Sequence, residues 1–258
     1  MKSAASISGH HGLLITLGVA AFVATCIAIA PASLLSAFAG QGRADVSYNS
    51  IEGTIWRGKV SRLTADGALI GDVDFRISPF SLIGLSPRAY VKSTNGAVRG
   101  EGVVTIGAGQ RISVSDANLE VDLGPFARRG VLGMPVKGEA RVRIAEVRLS
   151  RRGCVRAEGD VWTNVLEAPA RQYQTDGFPL SGDVSCDGDD FVLALSGESG
   201  DGAAEMSIRL TPDFTYELTA SVRPAEDNVA STLRFFGFED NDGALIYGSA
   251  GVLRGVGS

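Results

Sequence analysis

The chain has 258 residues, a formal net charge of −5 and two histidines, both before residue 12. Such a charge is no electrostatic footprint for nucleic acid, and a chain without histidine beyond residue 12 can build neither a Ser-His-Asp triad nor a histidine metal site there. Thirty-three glycines punctuate short apolar alternations, and aromatics make up only 7%; this is the grammar of an all-β domain rich in turns.

Residues 13–39, LLITLGVAAFVATCIAIAPASLLSAFA, contain no Asp, Glu, Lys or Arg. At about 1.5 Å per residue the run exceeds the roughly 30 Å of a bilayer's hydrocarbon core. In lipid its backbone must hydrogen-bond to itself, so a single transmembrane helix is expected, centred on residues 13–30, with Pro31 ending or kinking it. Two readings compete. A retained signal anchor is favoured by the length of the apolar run. A cleaved signal peptide would use Ala37-Phe38-Ala39 as its A-x-A site before Gly40. Lys2 and the amino terminus alone mark the inner side. Both readings carry the remainder out of the cytoplasm. The expected organisation is a cytoplasmic stub and anchor over residues 1–40 and a β-rich domain over residues 41–258.

Residues 41–66 predict two short strands meeting near Gly53 and Gly58, with Trp56 anchoring the start of the core. Residues 68–77, ALIGDVDFRI, alternate as a half-buried strand. Ser78 and Pro79 then suit a single helical turn closed by Gly84. Strands follow at 89–93, 97–106 and 111–123, with Asn95-Gly96 as a hairpin turn. Residues 124–135 break the pattern as a loop. The stretch 137–150, KGEARVRIAEVRLS, is a strand whose apolar phase slips at Ala145-Glu146, which predicts a bulge. A strand at 155–163 ends on Trp162, and 164–175 is irregular or briefly helical around Pro169. A meander occupies 179–185, 191–195, 203–210 and 214–222, with Asp187-Gly188 and Asp201-Gly202 as turns. Val229, Leu233 and Phe236 recur at helical spacing, so one amphipathic helix is expected near 227–237, capped by Asp227 or Asn228 and ended by Gly237. A last strand runs over 245–253. The expected fold is therefore mainly β, an antiparallel curled sheet or sandwich of about a dozen strands with one or two short helices.

Cys154 and Cys186 form an even pair outside the cytoplasm, which suggests a disulfide; the alternative is two buried thiols. Asp187-Gly188-Asp189-Asp190 and Asp240-Asn241-Asp242-Gly243 carry oxygen ligands but lack the twelve-residue calcium loop with its closing Glu, so they read as hairpin turns. The GEGVVTIG run puts Thr105 where a dinucleotide fingerprint needs glycine. No cofactor or metal is expected. Arg141, Arg143, Arg148, Arg151 and Arg152 cluster on one strand and its turn; they form either a solvated strand face or a face for a partner. Trp56 and Trp162 read as core rather than as a ligand platform.

The order of these features resembles the type II secretion system protein N family. The residues that carry the resemblance are the GT-x-W-x-G motif at Gly53, Trp56 and Gly58, the strand running into the Pro79 turn over residues 73–85, Val121-Asp122-Leu123-Gly124-Pro125, Cys154 followed by Gly159-Asp160-Val161-Trp162, and the Pro-led helix before a closing glycine-rich strand over 224–253. Phe75 stands where the family often has Trp. The resemblance implies a bitopic inner-membrane protein with a periplasmic domain and no enzymatic activity. It implies an accessory role in the machine that exports folded proteins across the outer membrane, in company with other inner-membrane or periplasmic secretion proteins. The rival expectation, on fold-level analogy, is a periplasmic lipid-binding or lipid-transport protein of AsmA-like or lipopolysaccharide-transport-like type.

Overall fold

A computed structural model describes residues 31–32, 46–65, 68–82, 86–107, 111–125, 137–171 and 174–252. Most of the apolar segment 13–39, Gly84 and most of the loop 124–135 lie outside the described residues. Among the described residues no helix is long and apolar enough to cross a membrane.

The strands are β1 (Val46–Ser47), β2 (Ser50–Thr54), β3 (Arg57–Ala65), β4 (Ala68–Ile77), β5 (Arg88–Ser93), β6 (Val98–Gly107), β7 (Arg111–Asp122) and β8 (Glu139–Ser150). They continue as β9 (Gly153–Thr163), β10 (Leu180–Asp187), β11 (Asp190–Ser199), β12 (Gly202–Leu210), β13 (Thr215–Pro224), β14 (Glu239–Asn241) and β15 (Ala244–Val252). Among the described residues a 3-10 turn occupies Pro79–Leu82, and the α-helices are α1 (Glu167–Ala170) and α2 (Asp227–Phe235). The fifteen strands of the described residues belong to one antiparallel sheet with two ends, β1 and β2 at one and β14 at the other. From β3 to β13 each strand pairs with the next in sequence, and after α2 the β14–β15 hairpin returns so that β15 lies against β13. The sheet is thus a single curtain rather than a sandwich. It holds more strands than the dozen expected because the two- and three-residue strands β1 and β14 are too short to show an alternation.

One face carries the apolar alternation across the whole width. A row across the strands runs Val121, Ala140, Thr163 and Leu180, then Gly197, Ala204, Val222 and Leu245. Leu180 and Leu245 are the largest fully buried side chains, and Ala204 and Val222 are nearly as well covered. The cover comes from α2, whose Val229 and Ala230 are buried, and from Phe178 and Phe238. The opposite end of the same face is different. Ile106, Ile112 and Leu149 stand side by side on β6, β7 and β8 and are 53%, 47% and 39% exposed. The core therefore sits under α2 in the second half of the chain, and the apolar face emerges into solvent at the far rim.

The helix begins one residue earlier than a side-chain cap at Asp227 or Asn228 requires. Glu226 is the extended residue before it and makes no side-chain capping bond; Asp227 is instead the first helical residue, where its charge complements the helix dipole. At the other end Phe238 N–H donates to the Leu233 carbonyl and Gly237 N–H to that of Arg234, at 3.1 and 3.0 Å. This is the Schellman arrangement, with Phe238 in the core cluster and Leu233 packed against it.

Bulges bend the sheet where the sequence slips phase. The register of β8 with β9 shifts between Ile144 and Glu146, as the Ala145-Glu146 phase change predicts. A second irregularity lies in β3 at Arg62, whose φ is +52°. Asp72 of β4 holds it: its carboxylate accepts the Arg62 backbone N–H at 2.9 Å and lies 3.0 Å from Lys59 Nζ. Asn95 ties the next turn to the same place through the Asp72 N–H.

The Arg62 N–H first, then Lys59 and Asn95, lower the Asp72 carboxyl from an ordinary 3.8 to about 2. A depressed carboxyl stabilises the fold fully above its unfolded value and loses that contribution as pH falls toward the folded one. The Asp72 carboxyl should thus titrate with a midpoint near 2 by NMR, and Asp72→Asn should remove part of the stability loss between pH 4 and 2; a midpoint near 4 would contradict the bulge contacts.

Candidate functional site

The side chains that could meet a partner lie mainly on the outer face of the sheet, opposite the core. Here charge is matched strand by strand. Lys92 pairs with Glu101 at 3.2 Å and Arg99 with Glu120 at 3.6 Å. On β8 and β9, Glu146 lies between Arg148 and Arg156, and Arg156 also takes Glu158. Arg209 bonds Asp187 and Asp190 across the β10–β11 hairpin. Pairs this exposed each contribute little to stability. Their effect is to leave a mixed polar surface with few large blocks of one sign.

The arginines singled out in the sequence do not form one patch of uncompensated charge. Arg141, Arg143 and Arg148 share the outer face of β8, whereas Arg151 and Arg152 occupy its turn into β9. Arg143 faces Asp160 at 4.0 Å with its side chain 71% exposed. Arg148 is engaged by Glu146. Arg141 stacks over Trp162, its guanidinium carbon 4.9 Å from the ring centroid.

That stacking corrects the reading of Trp162 as core. Val161 and Thr163 are buried on the inner face, so strand alternation puts Trp162 between them on the outer face. Trp56 is also no core anchor. It lies in the two-residue turn between β2 and β3, half-buried, and its carbonyl accepts the Ile77 N–H at 2.7 Å. Sequence gave no sign of this because the turn here carries Ile55 and Trp56 rather than the Asn-Gly type of turn.

The glycines of the same motif have a steric reason. A Cβ on Gly53, whose φ is +98°, would lie 2.4 Å from the Arg57 carbonyl oxygen. One on Gly58 would lie 2.5 Å from the Glu52 oxygen and 2.7 Å from the Phe75 ring. The motif is a tight hairpin wrapped around Phe75, not a ligand loop. Pro79 opens the 3-10 turn, where Ser81 N–H and hydroxyl both return to the Ser78 carbonyl. The same hairpin is joined on its outer edge by the chain before the domain, through a bridge of Pro31 to Thr54 and a 3.0 Å bond from Ala32 N–H to the Gly53 carbonyl.

Cys154 and Cys186 are joined in a disulfide with a Cα separation of 5.7 Å. The β9–β10 ladder stops at Gly159 and Val184, and the disulfide closes the two strands again beyond that point, helped by the Cys154 N–H bond to Asp189 at 2.7 Å. The acidic turns are structural as well. Asp187 and Asp190 clamp Arg209, and Asp240 receives Arg234 through two bonds of 2.9 and 3.0 Å. Among the described residues no group of His, Cys, Asp and Glu is arranged to hold a metal ion.

The family model of the type II secretion system protein N matches residues 44–246, from the first strand to the last. The chain belongs to the type II secretion system protein N family. A relative from Vibrio cholerae serotype O1 (strain ATCC 39315 / El Tor Inaba N16961), named type II secretion system protein N, is 24% identical over 201 residues, covering 69% of this chain and 73% of the relative. No solved structure matches. The protein is an accessory component of the type II secretion system.

Valine at position 58 would have to displace the Glu52 carbonyl and the Phe75 ring. Gly58→Val should therefore cost ~1–3 kcal/mol in chemical denaturation, whereas Gly248→Ala, which meets nothing within 4 Å, should leave stability nearly unchanged. Equal midpoints for the two variants would contradict the steric reading of the motif.

Proposed function

We propose that the chain is a single-pass inner-membrane protein, anchored through residues 13–30, whose sheet domain lies in the periplasm and docks neighbouring secretion proteins. The observation that carries this is the match of the family model to nearly all of the sheet domain, which directly follows an uncharged segment long enough to span a bilayer. The disulfide fits an oxidising compartment. With no histidine in the domain to serve as a catalytic base, the proposed role resides in surfaces. The docking face is the outer side of β8 with its turn, from Arg141 and Arg143 to Arg148, Arg151 and Arg152. Arginine forks suit carboxylates of a partner, and Arg141 is held flat for contact by Trp162.

A second reading is supported by the inner face. Ile106, Ile112 and Leu149 expose a contiguous apolar rim that leads toward Val114, Val147 and the core. Such a rim suits an acyl chain, and bound lipid in native mass spectra of the purified protein would favour this reading over docking alone.

Arg143→Glu with Arg152→Glu should weaken crosslinking to the secretion machinery and reduce export, while stability shifts by no more than ~0.5 kcal/mol, as for other exposed positions. Undiminished crosslinking and export would move the docking face elsewhere. A reporter fused after Ser258 should be active only as a periplasmic enzyme; activity of a cytoplasmic reporter at that site would overturn the topology.

A further inference from the structure

Because neighbouring strands run antiparallel, the turns of the sheet fall alternately on two opposite rims. One rim can be followed bond by bond from Pro31, which bridges Thr54 while Ala32 N–H donates to the Gly53 carbonyl. Past the β2–β3 turn, Ile77 N–H donates to the Trp56 carbonyl, Ser78 N–H to that of Arg88 and Ile106 N–H to that of Pro87. The rim continues as Ile106 opposite Ile112, Ile112 opposite Leu149 and Leu149 opposite Cys154. Ala32 is 1% exposed, so the chain enters the domain at a fixed corner of this rim.

Two properties coincide there. Phe80, on the 3-10 turn, is 81% exposed, and Ile106, Ile112 and Leu149 leave an apolar inner lip open to solvent. The rest of the rim is basic. Segments 54–57, 76–88, 105–112 and 149–153 hold Arg57, Arg76, Arg88, Arg111, Arg151 and Arg152, and no Asp or Glu. Strand alternation puts Arg88 and Arg111 on the face opposite Ile106 and Ile112. Elsewhere on the sheet a cation meets a carboxylate across the strands, as Lys92 does Glu101. Here Arg57 and Arg76 stand opposite each other in register, an arrangement that costs stability and that a bound anion would relieve. At the other rim β7 and β8 end instead on the opposed acids Asp122 and Glu139.

We propose that this rim rests on the anionic phospholipid surface of the membrane that holds the chain. Phe80, Ile106 and Ile112 enter the headgroup layer, and Arg57, Arg76, Arg88 and Arg111 meet lipid phosphates. This contact presupposes the single-pass reading above. An apolar span ending at residue 30 leaves two residues to Ala32, about 7 Å of chain at full stretch. That is comparable with the thickness of the headgroup layer, so the corner at Gly53 and Thr54 lies against the bilayer. Of the two rims, the one so placed is the one whose apolar tips and arginines suit lipid. Arg151 and Arg152, at the edge of the docking face on β8, close the same rim, so a protein docked there would also lie close to the membrane.

The test uses the full chain with Cys26→Ser, reconstituted in vesicles of phosphatidylcholine and phosphatidylglycerol. Phe80→Cys, Ile112→Cys or Thr94→Cys is labelled with a fluorophore and read against a quencher carried on the lipid; Thr94 is exposed in the β5–β6 turn of the opposite rim. Quenching is expected at 80 and 112 and not at 94. Arg88→Glu with Arg111→Glu should lower it by about threefold or more, as should vesicles of phosphatidylcholine alone. No quenching at 80 and 112, equal quenching at 94, or quenching indifferent to both charge changes would overturn the proposal. Alkaline carbonate extraction reads the anchor separately. A chain retained in the vesicles without quenching overturns the rim contact and leaves the anchor, whereas an extracted chain overturns the single-pass reading and the rim contact with it.

Discussion

Everything in this molecule depends on how one face of one sheet is kept from water. Among the described residues the sheet of fifteen strands has no second sheet to lean on, so its apolar face must be covered by whatever the chain can bring back over it. Among the described residues only one element of any length does so. Helix α2 lays Ala230 and Leu233 against the second half of the sheet, and Phe178 and Phe238 complete the cover. Leu180, Ala204, Val222 and Leu245 of the row join them in one buried cluster. Toward β6 and β7 Ala97 and Ala117 are still buried, but at the far rim Ile106, Ile112 and Leu149 face solvent.

That asymmetry also explains the outer face. A curtain one sheet thick presents its full area to water on the other side, and the sequence fills it with cross-strand pairs of opposite charge. Arg143 with Asp160, Arg99 with Glu120 and Lys92 with Glu101 are each directly opposed in register. Cross-strand pairs of this kind favour the native register over slipped ones, because a one-residue slip would turn every charge inward. The disulfide has a related task. It restores contact between β9 and β10 where their ladder has parted, in the zone between the well-covered half and the exposed half.

Much of this was legible in the sequence because the signals were local. Period-two alternation located the long strands, the phase slip at Ala145-Glu146 located a bulge, and Val229, Leu233 and Phe236 located α2. The cysteine pairing was legible from compartment and number. What was not legible depended on partners distant in the chain. Trp56 and Trp162 look like core residues by composition, yet one sits in a turn and the other faces out, because a tryptophan's side of a strand is fixed by its neighbours and not by its size. The arginine run looked like a block of charge; Glu146, Glu158 and Asp160, some adjacent in space but not in sequence, divide it. Whether the strands would form one sheet or two was likewise a matter of how the chain's ends close, which alternation does not encode.

The central claim is that stability is concentrated under α2 while the rim around β6 and β7 stays open for contact. Hydrogen exchange of the full chain, read by mass spectrometry peptide by peptide, measures this most directly, since slow exchange follows the best-covered strands. The account predicts slowest exchange in β10 to β13 and in the first half of β15, and markedly faster exchange where β6 and β7 carry Ile106 and Ile112. Uniform protection across the sheet, or slowest exchange at the β6–β7 end, would contradict it.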